Sequence, residues 1–127
     1  MCNDRPMSLR FSIVLALSIL CLAAPAWADY RAGMDAYARG DYATALREWQ
    51  PLAEQGDPSA QFYLGLMCAF GRGTSMDLVQ AHMWYSLAAG NGHARAALHR
   101  NDLAKEMKPA QIAEAQKRAR EWKPKPP

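Results

Sequence analysis

Beyond residue 28, three histidines, His82, His93 and His99, and one cysteine, Cys68, are the side chains able to exchange a proton near neutrality or attack as a nucleophile. A metal site on a helix needs ligands on one face, at spacings such as i and i+4. His93 and His99 stand six apart and do not meet that spacing. No Ser/His/Asp or Cys/His arrangement is readable, so no catalytic residue, metal ligand or cofactor site is predicted. The stretch "LGLMCAFGRG", Leu64 to Gly73, raises phosphate binding instead. A Walker-type loop requires lysine and then Ser or Thr after its last glycine, at the mouth of a helix that follows a strand. Here Thr74 and Ser75 follow Gly73 with no lysine in range, and "GLMCAFG" lacks the G-x-G-x-x-G spacing of a dinucleotide loop. The stretch therefore reads as a helix that ends near Phe70 and a turn made by Gly71 and Gly73.

The N-terminus has the order of a secretory signal. Arg5 and Arg10 form a basic start, "FSIVLALSILCLAA" from Phe11 to Ala24 an apolar centre, and "APAWA" ends at Ala28 with small residues where a peptidase must fit them. Initiation at Met1 or at Met7 gives the same cleavage site. The apolar run falls short of the roughly 20 residues that span a bilayer. The expectation is a signal peptide over 1–28, cleavage after Ala28, no membrane span in the mature chain, and a periplasmic or secreted location. Cys2 and Cys21 leave with the signal, so Cys68 has no intramolecular partner and reads as a buried small hydrophobe, with an intermolecular bridge as the alternative. The whole chain carries a formal charge of +3, and losing Arg5, Arg10 and Asp4 lowers it by one. That balance points to no nucleic-acid partner; the one basic concentration is the C-terminal segment from Lys105 to Lys125, which allows at most a weak contact with an anionic surface.

The 127 residues, half of them hydrophobic, fit one domain. Shifted by 36 positions, the sequence matches itself: Asp41 falls on Asp77, Ala45 on Ala81, Trp49 on Tyr85, Gly56 on Gly92, Ala60 on Ala96 and Phe62 on Leu98. A fixed offset in this range marks a helical repeat. Tyr42, Ala45, Leu46, Trp49, Leu52 and Ala53 step by threes and fours, as do Ala60, Tyr63, Leu64 and Met67, and nothing alternates as a strand does. The helix ends are marked by Gly40 with Asp41, by Gly56 with Asp57 and Pro58, and by Asp77 with Gln80 in a capping-box-like start. At Gly92 the second unit has His93 where the first has Asp57, a weaker cap. Tyr30 to Arg39 reads as a partial first helix, and Pro109 opens a last one that places Ile112, Ala115, Ala119 and Trp122 on one face. Trp49, Trp84, Tyr85 and Trp122 are assigned to the core, with Trp84, which matches Glu48, nearest the edge of its stripe.

The segment "ALREWQPLAEQGDPSAQFYLGLMCAFGRGTSMDLVQAHMWYSLAAGNGHARA", Ala45 to Ala96, resembles Sel1-like repeats: an alanine-rich first helix, an Ala-x-x-Gly turn, "A-x-x-x-LG" in the second helix, then "GRG" and an Asp opening the next unit. The resemblance implies an all-α fold, a short right-handed alpha-alpha superhelix related to tetratricopeptide repeats, of about six helices over 29–122. A basic, proline-rich tail occupies 123–127. Cys68 stands where a tyrosine is more familiar, and Arg100 where Leu64 sits in the preceding unit. The resemblance further implies use as a scaffold, so the leading expectation is a non-enzymatic adaptor that binds a protein or peptide in the cell envelope. Its groove would be the polar face of the first helix of each unit, with Arg47, Gln50, His82, Met83 and Ser86 as contact residues. The alternative is a cell-envelope hydrolase acting on a beta-lactam or peptidoglycan, or a regulator of one. Cysteine-rich relatives carry that association, but the paired cysteines that brace their repeats are missing here.

Overall fold

The computed structural model describes residues 27–127, with side chains from Tyr30 onward. The expected signal peptide lies outside the described residues up to position 26, and the side chains at its junction, Ala28 included, lie outside them too. The described chain is all-helical: α1 Trp27–Ala38, α2 Tyr42–Glu54, α3 Pro58–Phe70, α4 Leu78–Gly90, α5 Ala96–Ala104 and α6 Pro109–Glu121. None of these helices is long and apolar enough to cross a membrane.

The helix starts follow the predicted side chains. Asp41 accepts from the Thr44 amide at 3.3 Å, Asp57 from the Ala60 amide at 2.7 Å and Asp77 from the Gln80 amide at 3.0 Å, each satisfying a backbone donor that a first turn leaves open. Pro58 occupies the first turn of α3, where its missing N–H removes no helix bond. Gly40, Gly56, Gly71, Gly73 and Gly92 all have positive φ, between 63° and 103°. The start at Asp77 is only half of a capping box. Gln80 does not return to the Asp77 amide, which donates instead to the Cys68 carbonyl at 2.9 Å. His93 caps nothing: α5 begins only at Ala96, its N-cap Arg95 makes no side-chain bond, and the His93 ring stacks on Phe62 at 4.2 Å.

Packing is sequential through the first four helices, α1 on α2, α2 on α3 and α3 on α4; α4 then takes both α5 and α6 against it. The core runs through Trp49, Ala53, Ala60, Phe62, Leu64, Met67, Tyr85 and Ala88. One contact recurs between successive helices. A Cβ at Gly33 of α1 would stand 2.3 Å from the Trp49 indole of α2, and one at Gly65 of α3 would stand 2.5 Å from the Tyr85 ring of α4. In each case a glycine lets an aromatic face lie on helix backbone. Gln61, fully buried, ties three elements: its amide donates to the Ala53 carbonyl and accepts from Asn91, both at 3.0 Å. A polar side chain survives at that depth because both of its ends are satisfied.

The last helix has its predicted face, with Ala115 buried and Ile112, Ala119 and Trp122 partly so, and Lys117, Arg118 and Arg120 outside. It covers α4, not the end of α5. Trp84 is consequently 5% exposed, with Trp122 edge-on at 6.5 Å, and belongs to the core. Leu98, which matches the buried Phe62, stays 65% exposed. The tail is tied back: the Lys125 amide donates to the Glu54 carbonyl at 2.7 Å, and its Nζ pairs with the Glu54 carboxylate at 3.1 Å.

Candidate functional site

The five residues expected to share a polar groove differ in exposure. Arg47 is exposed and Ser86 half-buried, while Gln50 is half-buried and donates to Glu54 at 2.8 Å. His82 and Met83 are 3% and 6% exposed. The expectation that they present an open surface is therefore corrected. With α3, α5 and α6 all packed on it, α4 has no free polar face.

The burial of His82 has a titration consequence. Its Nδ1 has no hydrogen-bond partner among the described residues, and burial, then the Arg100 guanidinium of α5, holds its pKa below the usual imidazole value. His93 is shifted the same way by burial, then by Arg95 and His99. The folded chain thus binds fewer protons than the unfolded chain in the window below about pH 6.5. Stability from these groups is complete above that pH and is lost as pH falls through their folded-state values. Urea midpoints should drop between neutrality and mild acid, and His82→Leu should drop less; an identical drop in the variant would remove His82 as a cause.

The turn "FGRG" serves the fold on one side and exposes a surface on the other. Gly71 ends α3 in the left-handed conformation, and a Cβ at Gly73 would meet the Tyr42 carbonyl at 2.9 Å. Arg72 between them donates from Nη1 to the Tyr37 hydroxyl, and its guanidinium carbon lies 5.8 Å, 5.6 Å and 5.2 Å from the rings of Tyr37, Tyr42 and Phe70. A guanidinium stacked among three aromatic rings is held by them and gives the turn a structural anchor. This settles the question raised by the glycines: the arginine grips aromatic rings within the chain.

Beyond that anchor, Phe70 and Met76 are 63% and 68% exposed. They form one wall of a groove of about 260 Å³ lined by Ala69, Leu78 and Tyr85, with His99, Asp102, Leu103 and Glu106 on the opposite side. His99, Asp102 and Leu103 share one face of α5, and Glu106 lies in the turn that follows it. That face is open because α6 packs on α4. The groove falls below the roughly 300–1,000 Å³ of drug-sized ligand pockets, a volume that suits one or two side chains. Cys68 lies behind it at 8% exposure; burial, then Asp77, raises its thiol pKa to about 11, so it stays protonated and inert near neutrality. Among the described residues, no group of three or more His, Cys, Asp or Glu could hold a metal ion.

The chain matches no model of a known protein family and no curated protein.

The groove was not foreseen from sequence. Its signal was present in the loop "FGRGTSM", where two large apolar residues flank a turn too short to bury both. Its second wall comes from α5, distant in sequence, and follows only from where α6 docks.

Proposed function

We propose that the mature chain is a binding module of the cell envelope that holds a peptide segment of another protein in the groove between the 71–77 loop and α5. The observation that carries this reading is the pairing of Phe70 and Met76, both more than half exposed, over a floor that includes the buried Tyr85. Large apolar side chains are rarely left adjacent in water unless something covers them. A shallow apolar groove with a few polar groups on one side fits the docking of peptide side chains.

The wider setting of this reading is a Sel1-like repeat protein, arranged as a short right-handed alpha-alpha superhelix and exported after cleavage at Ala28. Support comes from the three aspartate-capped helix starts and from the recurring glycine-on-aromatic contact, Gly33 on Trp49 and Gly65 on Tyr85. Recognition moves from the polar face of the first helices to the connection between units. Arg47, Gln50 and Ser86 then lie outside the binding surface.

Selection from a random displayed-peptide library tests the reading. Peptides retained by the mature chain should share large apolar residues, and Phe70→Asp combined with Met76→Asp should weaken them about tenfold or more, the size expected when a central apolar anchor is lost. Both side chains are exposed, and Arg72 keeps its bond to the Tyr37 hydroxyl and its contacts with the Tyr37 and Tyr42 rings, so the change should leave the fold intact. Undiminished retention by that variant would refute a role for the groove.

A further inference from the structure

Resting on that reading, we infer that the groove selects a peptide by charge as well as by apolar fit: its occupant carries a large apolar side chain followed closely by lysine or arginine. The charges about the groove are unevenly placed: its lining holds two carboxylates, and the nearby Arg72 stands outside the lining, next in sequence but one to Phe70. Beside Phe70 lies the Arg72 guanidinium, fixed by its bond to the Tyr37 hydroxyl and its stacking on three rings. Across the groove stand two carboxylates, Asp102 and Glu106. Glu106 makes no ion pair among the described residues, and Asp102 pairs with Lys105 at 3.0 Å with both side chains about three-quarters exposed. An exposed pair of that kind is weak and yields readily to a ligand cation.

The apolar side chain of the ligand settles against Phe70, Met76 and Leu103. Its cation is repelled from the Arg72 side and drawn to the α5 side. An acidic ligand in the same position would face Asp102 and Glu106 at close range, so discrimination arises from repulsion of the wrong charge as much as from attraction of the right one. Because these carboxylates are open to solvent, the preference is modest and declines with salt.

Capped peptides on a glycine–serine background test this, each carrying a phenylalanine–leucine pair followed by two lysines, two glutamates or two serines, with binding to the mature chain read by fluorescence polarisation. The lysine peptide should bind about tenfold more tightly than the glutamate peptide at low salt. Asp102→Lys with Glu106→Lys should reverse that order at unchanged helical circular dichroism, and Phe70→Ser with Met76→Ser, which removes the apolar wall without adding charge, should weaken all three peptides together. Equal binding of the three peptides, abolished by the Phe70 and Met76 changes, would overturn the charge preference and leave the groove standing. Binding of none of them, or binding indifferent to Phe70 and Met76, would overturn both.

Discussion

Trp49→Ala should destabilise the protein by about 3–5 kcal/mol, the range for removing a large aromatic from a packed core. The indole is fully buried, stacks on Tyr63 at 4.6 Å, and lies 5.6 Å and 6.2 Å from the rings of Tyr37 and Tyr30. Its Nε1 also donates to the Tyr30 carbonyl at 3.2 Å, so truncation removes that bond between α1 and α2 in addition to opening a cavity. Three helices meet on this side chain: Tyr30 and Tyr37 come from α1, Trp49 from α2 and Tyr63 from α3. For a domain whose whole stability is on the order of 5–15 kcal/mol, such a loss approaches unfolding. Trp49→Phe, which keeps a ring but loses the donor and some volume, should cost about 1–2 kcal/mol and remain measurable. Urea denaturation gives both values, and a Trp49→Ala midpoint close to that of the parent would show that the α1–α2–α3 junction is held by something else.

Gly65→Ala should also destabilise, against the expectation from helix propensity. In the middle of a helix, alanine is favoured over glycine by about 1 kcal/mol. The new methyl, however, would stand 2.5 Å and 2.6 Å from two carbons of the Tyr85 ring. Tyr85 is 2% exposed and bordered by Phe62 at 5.8 Å and His99 at 5.7 Å, so the ring is hemmed in on those sides and can give way only by intruding on the groove. Overpacking of this kind costs about 1–3 kcal/mol, and the net sign is a loss. Because Tyr85 also lines the groove, the same substitution should weaken peptide binding. Pairing it with Tyr85→Leu should recover part of the lost stability, a coupling that a double-mutant cycle measures. A stabilised Gly65→Ala protein would mean that α3 and α4 are not in such close contact.

Local chemistry was legible in the sequence, and long-range docking was not. Asp41, Asp57 and Asp77 announce helix starts because a cap acts within three residues of itself, and the glycines before them mark where the preceding helix or loop must turn. The same rule explains the late start of α5: His93 offers no carboxylate to the waiting amides, and its ring is taken up by Phe62. The apolar face of α6 is likewise a local pattern, readable from Ile112, Ala115, Ala119 and Trp122. Which helix that face would cover cannot be read from periodicity, since α4 and α5 both offer apolar partners. Its choice of α4 buries Trp84 and removes the polar surface on which His82 and Met83 were placed. The same choice leaves open the side of α5 that carries His99, Asp102 and Leu103, with Glu106 in the turn after it, and thereby creates the groove. The tail followed the same course: composition marks it as a basic surface feature, whereas Lys125 is spent on Glu54, a partner more than seventy positions away.

The most direct measurement is amide chemical-shift mapping by NMR as the lysine-bearing phenylalanine–leucine peptide is titrated into residues 29–127. The largest changes should cluster at Ala69, Phe70, Met76, Leu78, Leu103 and Glu106, with Arg47, Gln50 and Ser86 little affected. Changes concentrated on those last three residues, or none along the groove at saturating peptide, would contradict the account.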